Sequence, residues 1–254
     1  MKQLRRWSVT LGLVLYATLA LTRAAAADDI AVLCSNGLKA VAEDLIPKFE
    51  RETKHRVNVK YGLAATLKQR IEGGEAFDVA LVTPAVMDDL VARGTIAGDS
   101  RTTIARSGLA LEVRAGASKP DISSAEAFKR TLLGARAIAY AKEGASGVAF
   151  AALIQRLGIA DDLKSKSRLT ATGEEVSAAV VNGDVEFGVL PLSEILGVQG
   201  AQVGAVFPPE LQSYIVMVGG VNATSKQAGA SRALVKYLTS PAALPVIKAK
   251  GMEK

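Results

Sequence analysis

Small polar residues stand at three places where an apolar run gives way to a helical pattern: Ser35-Asn36-Gly37, Thr83 before Pro84, and Ser146-Gly147. Serine and threonine hydroxyls and an asparagine amide donate hydrogen bonds without titrating. A helix N-terminus adds unpaired N–H groups and partial positive charge. Together these are the means of holding an anion. The same residue types are ordinary helix N-caps, so one junction carries little; three of them point to a binding site. A fourth group, Arg106-Ser107-Gly108, lies between two blocks of strand and helix. An Arg there has the fork geometry to grip a carboxylate, or to make a surface salt bridge.

The motifs of catalysis are missing. One His and one Cys in 254 residues exclude a Cys/His metal cluster. No G-x-x-x-x-G-K-[ST], no G-x-G-x-x-G behind a strand and no H-E-x-x-H occurs. Gly144-Ala145-Ser146-Gly147 is one residue short of a nucleophile elbow, and a hydrolase built on Ser146 would need His55 as its base. His55 sits in the charged stretch Glu52-Thr53-Lys54-His55-Arg56, the setting of a solvated surface residue. Asp88-Asp89 and Asp161-Asp162 read as solubilising charge at helix edges. The expectation is a protein that binds and does not catalyse, with no cofactor and no metal.

The elements that would position these residues alternate along the chain. Ile30 to Cys34 is a compact apolar strand, and Cys34 within it reads as a buried free thiol. Leu38, Val41, Ala42, Leu45, Ile46 and Phe49 mark one face of a helix. Arg56 to Tyr61 alternates, with Val57 and Val59 inward; Leu63 to Ile71 is helical and closes at Gly73-Gly74. Phe77 to Val82 is a buried strand, and Pro84 stands where a first helical turn favours it. Three such units imply a parallel sheet covered by helices on both faces. After Ile104 to Val113 the pattern resumes: strands over 136–140, 168–172 and 185–189, helices over 147–157 and 174–181. Strand-like runs follow at 203–207 and 214–218. A helix over 226–238 precedes a short one capped by Ser240 and Pro241. No Pro/Gly/Ser linker divides the chain, so a second domain must be reached through ordered strands. Ligands of open parallel sheets sit beyond the carboxyl ends of the strands, which is where Ser35, Thr83 and Ser146 fall.

The first 27 residues read as an export signal. Lys2, Arg5 and Arg6 precede the apolar run Trp7–Leu21, and Ala24-Ala25-Ala26-Ala27 supplies a small-residue cleavage site. The run is shorter than the roughly 20 residues of a spanning helix. Four of the 31 Lys and Arg lie in this segment, leaving 27 against 25 acids. That balance gives no electrostatic reason to bind nucleic acid.

Five stretches in order carry a resemblance: 30–38, 66–74, 77–83, 183–189 and Leu238-Thr239-Ser240-Pro241. Over 28–254 the chain resembles the bacterial periplasmic solute-binding proteins of the molybdate-binding, type II class. The resemblance implies an α/β fold of two lobes, each a mostly parallel sheet flanked by helices, joined by two hinge strands. Lobe one would be 28–106 with 218–254, and lobe two 107–217. It further implies a periplasmic, monomeric receptor that closes on a small anionic solute and hands it to an inner-membrane ABC permease. The same fold could instead serve a ligand sensor. Ligand-binding residues would be Ser35, Asn36, Gly37, Thr83, Arg106, Ser107, Ser146 and Gly147. Two donors of the molybdate binders have no counterpart: a Ser falls at Ala64-Ala65 and a Tyr at Leu190-Pro191. Two ligand chemistries therefore stay open, a tetrahedral oxyanion and an organic acid held by Arg106.

Overall fold

The structure, a computed structural model, describes residues 28–254; the signal expected over 1–27 lies outside the described residues. Strand β1 (Asp29–Ser35) pairs in parallel with β2 (Arg56–Gly62) and with β3 (Val79–Val82). Helices α1 (Lys39–Thr53), α2 (Ala64–Glu72) and α3 (Pro84–Ala92) follow these strands in turn. All six apolar positions of the first helical face, Leu38 through Phe49, are buried. In β2 the alternation holds, but Val57 and Val59 are only half-buried, because β2 is the outer strand of the sheet.

The chain then enters β4 (Thr102–Arg114), the longest strand. Its first half, to Gly108, lies antiparallel to β9 (Tyr214–Val221), which in turn pairs with β3. Its second half, from Leu109, lies antiparallel to β7 (Phe187–Pro191) and β8 (Ala201–Val206). Strand β5 (Ile138–Ala141) adds to β7 and to β6 (Ser167–Thr170) in parallel. The spatial order is β2-β1-β3-β9-β4-β7-β5-β6, with β8 off β4. Parallel pairing is thus confined to the outer three strands at each end, and the chain-crossing strands join antiparallel. Helices α4 (Ala125–Gly134), α5 (Ala145–Arg156), α6 (Ala160–Leu163), α7 (Gly173–Val181) and α8 (Leu192–Ile195) belong to the second half. Helix α9 (Ala228–Leu238) and the short α10 (Leu244–Ala249) return to the first, where both contact α1.

The strand expected over 185–189 begins at Phe187, and all of β7 is buried. Two local expectations change. Ser240 occupies an N-cap position before Pro241, yet its Oγ makes no cap bond and is buried without a partner among the described residues. His55 is not a solvated surface residue. Its ring stacks on Phe49 at 6.0 Å and its Nδ1 accepts the N–H of Asp28 at 3.1 Å. Cys34 is a buried free thiol, and burial pushes its pKa up.

Where β4 passes from one half of the sheet to the other, Gln212 stands in for a strand. Its Oε1 accepts the N–H of Leu109 at 2.6 Å, and its Nε2 donates to the carbonyls of Leu109 (3.1 Å) and Phe207 (3.3 Å). Gly108 leaves room for that amide: a Cβ there would lie 2.9 Å from Nε2. The crossover thus keeps its backbone groups satisfied, as a buried turn requires.

Candidate ligand-binding cleft

The carboxyl ends of β1, β3, β5 and β7 converge on one cavity of about 300 Å³. Ser35, Asn36, Gly37, Thr83 and Ser146 all line it. Ala64, Val86, Ala145, Gly173 and Glu194 bring the first turns of α2, α3, α5, α7 and α8 to the same space. In α2, α3 and α5 the first helical bonds are made by the N–H groups of Leu67, Met87 and Val148. The N–H groups ahead of them have no acceptor within their helix, and Pro84 at the first position of α3 lacks one altogether.

The hydroxyls at these junctions are not spent on capping. Ser35 and Thr83 hold N-cap positions without a side-chain cap bond. Elsewhere the same residue types do cap: Ser124 Oγ accepts from Ala127 N and Thr172 Oγ1 from Glu175 N, each at 3.2 Å. Among the described residues the cavity-lining hydroxyls of Ser35 and Thr83 make no hydrogen bond, which leaves them free to donate to a ligand. Ser146, 5 % exposed, stands at the second position of α5. Gly147 does not line the cavity, but it seats the helix: a Cβ there would lie 1.8 Å from the carbonyl oxygen of Ala141. Only glycine lets α5 approach the end of β5 this closely.

Arg106 is not brought to the cavity. Its guanidinium lies 4.3 Å over the Tyr214 ring and pairs with Glu253, at 2.9 Å from Nε and 2.8 Å from Nη2. The backbones of Arg106 and Glu253 exchange two hydrogen bonds as well. The register with β9 turns this side chain outward, so it clamps the C-terminal segment. Ser107 is also outside, buried as a staple: its Oγ donates to Gly251 O and accepts from Ser193 N, both at 3.1 Å. Both expected ligand contacts are therefore corrected to structural roles. A Ser146–His55 pair is not assembled either, since His55 sits where β1 and β2 begin, a strand length of about 20 Å from their carboxyl ends.

The lining contains no Lys or Arg among the described residues; its ionisable side chains are Glu143 and Glu194. Glu194 is half-buried, and burial followed by repulsion from Glu174 and Glu112 holds its carboxyl up at about 7. No sequence motif marks Glu194 as a site residue. Its signal was an acid in the first turn after Leu190-Pro191, which looks like an ordinary helix-start residue. Ala64, Ala65, Leu190 and Pro191, the positions without the molybdate binders' donors, all lie in the cavity wall beside Leu63, Val86, Val148, Ile215 and Met217. The space is thus partly apolar.

A family model described as bacterial extracellular solute-binding protein matches residues 30–253. An aconitate isomerase from a Pseudomonas species is 32% identical, over 97% of this chain and 95% of that protein. The molybdate-binding protein ModA of Azotobacter vinelandii is 29% identical, over 90% of this chain and 91% of its own length. The solved periplasmic molybdate-binding protein of Azotobacter vinelandii superposes with a TM-score of 0.76 at 20% identity, covering 89% of this chain and 99% of that one. The two-lobed α/β fold follows from that likeness, and the match across nearly all of the described residues makes this chain a member of the bacterial extracellular solute-binding protein family.

Proposed function

We propose that the protein is a periplasmic receptor that captures a small carboxylate-bearing anion between two lobes and delivers it to an ABC permease. The lobes would be 28–106 with 218–254, and 107–217, and the protein would act as a monomer. The carrying observation is the set of uncommitted donors, Ser35, Asn36, Thr83 and Ser146, gathered with helix N-termini around one cavity. Dipoles and neutral hydroxyls hold an anion without a cation to neutralise it. A carboxylate is favoured over a bare oxyanion because Ala64, Ala65, Leu190 and Pro191 offer carbon where an oxyanion cage needs donors. Periplasmic location and delivery to a permease are supported by family membership and by the periplasmic molybdate-binding relatives.

The test is thermal unfolding against molybdate, tungstate, sulfate, phosphate and di- and tricarboxylates. A ligand at about 100 times its Kd adds about 2.7 kcal/mol, a rise of about 5–11 °C at this size. The reading expects the rise with a carboxylate. A rise with molybdate alone would restore the oxyanion, and no rise with any anion would overturn the receptor reading.

One observation favours a second reading, the aconitate isomerase at 32% identity. A carboxyl in the cavity, Glu143 or Glu194, could take a proton from a methylene carbon and return it to the former vinyl carbon, which moves a double bond with no other reactant. Proton NMR of cis-aconitate in heavy water with the protein present would reveal it as exchange and conversion. An unchanged spectrum leaves binding alone.

A further inference from the structure

Glu194 borders both the ligand cavity and a neighbouring one of about 500 Å³ between α1 and α7. Its carboxyl lies close to two glycines. A Cβ on Gly173 would lie 2.3 Å from its Oε2, and one on Gly37 3.8 Å from its Oε1. The carboxyl therefore rests against the start of α7 and the 3-10 turn Asn36–Leu38 that opens α1, where the anion's donors gather.

The groups facing it are mostly acidic. Glu174 approaches from α7 and Glu112 from β4, while Lys39 on α1 is the one opposing charge among the described residues. Glu43 of α1 borders the neighbouring cavity, and Glu143 the ligand cavity. Lys39 is directed to Glu174, at 3.8 Å. Among the described residues Glu194 makes no ion pair. A carboxylate in this place would repel the anion that the surrounding hydroxyls and N–H groups attract. A carboxylic acid would instead donate an O–H to it.

We propose that Glu194 serves the anion site as a carboxylic acid and hydrogen-bond donor, so that capture of a fully ionised anion takes up one proton. The proposal rests on the receptor reading and deepens it: the ligand must offer an acceptor oxygen to Glu194. The half-buried, acid-flanked setting places the group's titration near 7, where a modest rise in pH ionises it. Above that point each further pH unit costs tenfold in affinity.

The test is isothermal titration with molybdate, sulfate, succinate and aconitate between about pH 7.5 and about pH 9, where these anions are fully ionised while Glu194 is losing its proton. Buffers of different protonation enthalpy count the protons. In the wild type, Kd should rise close to tenfold per pH unit, with close to one proton taken up per ligand. Glu194→Gln keeps a donor that cannot ionise; it should bind with a flat pH profile and no proton uptake. Arg106→Ala, altered outside the cavity wall, should keep the wild-type slope and proton uptake. Wild-type binding without proton uptake, or the same uptake in Glu194→Gln, overturns the proposal and leaves the receptor standing. No binding by either protein overturns both.

Discussion

An anion site without a cation works only if many weak donors act together, so each should be felt singly. Ser35, Thr83 and Ser146 have no competing partner at a cap; removing one hydroxyl leaves a ligand oxygen unpaired at about 1–3 kcal/mol. Arg106 is the contrast. With its guanidinium on Tyr214 and Glu253, Arg106→Ala should leave Kd unchanged in a binding titration and loosen the C-terminal segment slightly, as exposed ion pairs contribute little. A tenfold loss of affinity would put it back in the site. Adjacency to a strand junction was visible in the sequence for all four residues. What the sequence did not carry was register, which decides whether a strand residue faces the cleft or the outside. Glu112 makes a second residue-scale prediction. It is fully buried, Ser177 Oγ donates to its Oε2 at 3.0 Å and its Oε1 has no partner among the described residues. Burial raises its carboxyl to about 7, against the Ser177 bond. The folded state thus holds the proton more tightly than the unfolded chain, a stabilisation present below about pH 4.5 and lost as pH rises through about 7. Denaturation of Glu112→Gln and wild type at about pH 5 and about pH 8 should show the variant gaining on the order of 3 kcal/mol over that interval. Parallel behaviour would mean that Glu112 is solvated.

At the scale of elements, the site depends on how closely helix starts approach strand ends. Gly147 sets that approach for α5. Gly147→Ala must push the helix off Ala141 and carry Ser146 with it, a strain of about 1–3 kcal/mol. Unfolding should fall by about 2–12 °C, and anion affinity should drop at least as far as in Ser146→Ala. Full affinity in a destabilised Gly147→Ala would mean that α5 does not position the donors. Most of the elements were legible because period and punctuation agreed: the α1 face from Leu38 to Phe49, and α2 ending at Gly73-Gly74. Helix α4 was missed although Ser124 caps it and Glu126 sits in its first turn, because only Ala127, Phe128 and Leu132 mark its buried face. The antiparallel crossing strands were hidden for another reason. A βα rhythm reads as parallel, and β9 returns from far along the chain to separate β3 from β4.

At the scale of the molecule, one sheet order contains two halves that meet in β4, with Gln212 sealing the passage. The cavity draws on both: Ser35, Asn36 and Thr83 from one, Ser146 and Glu194 from the other. A ligand held this way bridges the halves, and its loss or gain should be all the more sensitive to donors on either side. The three polar junctions marked the donors, and the resemblance carried by stretches such as 30–38 and 183–189 implied the two-sided arrangement; the partly apolar wall and the acid within it became visible only once the strand ends were brought together. The central claim is that these junctions hold the ligand. The most direct measurement is isothermal titration of wild type and of Ser35→Ala/Ser146→Ala, one donor from each half, with the anion that most raises the unfolding temperature. The account predicts a Kd at least tenfold weaker in the double variant, from two lost hydrogen bonds of about 1 kcal/mol or more each. An unchanged Kd in a folded double variant would contradict it and move the binding site elsewhere.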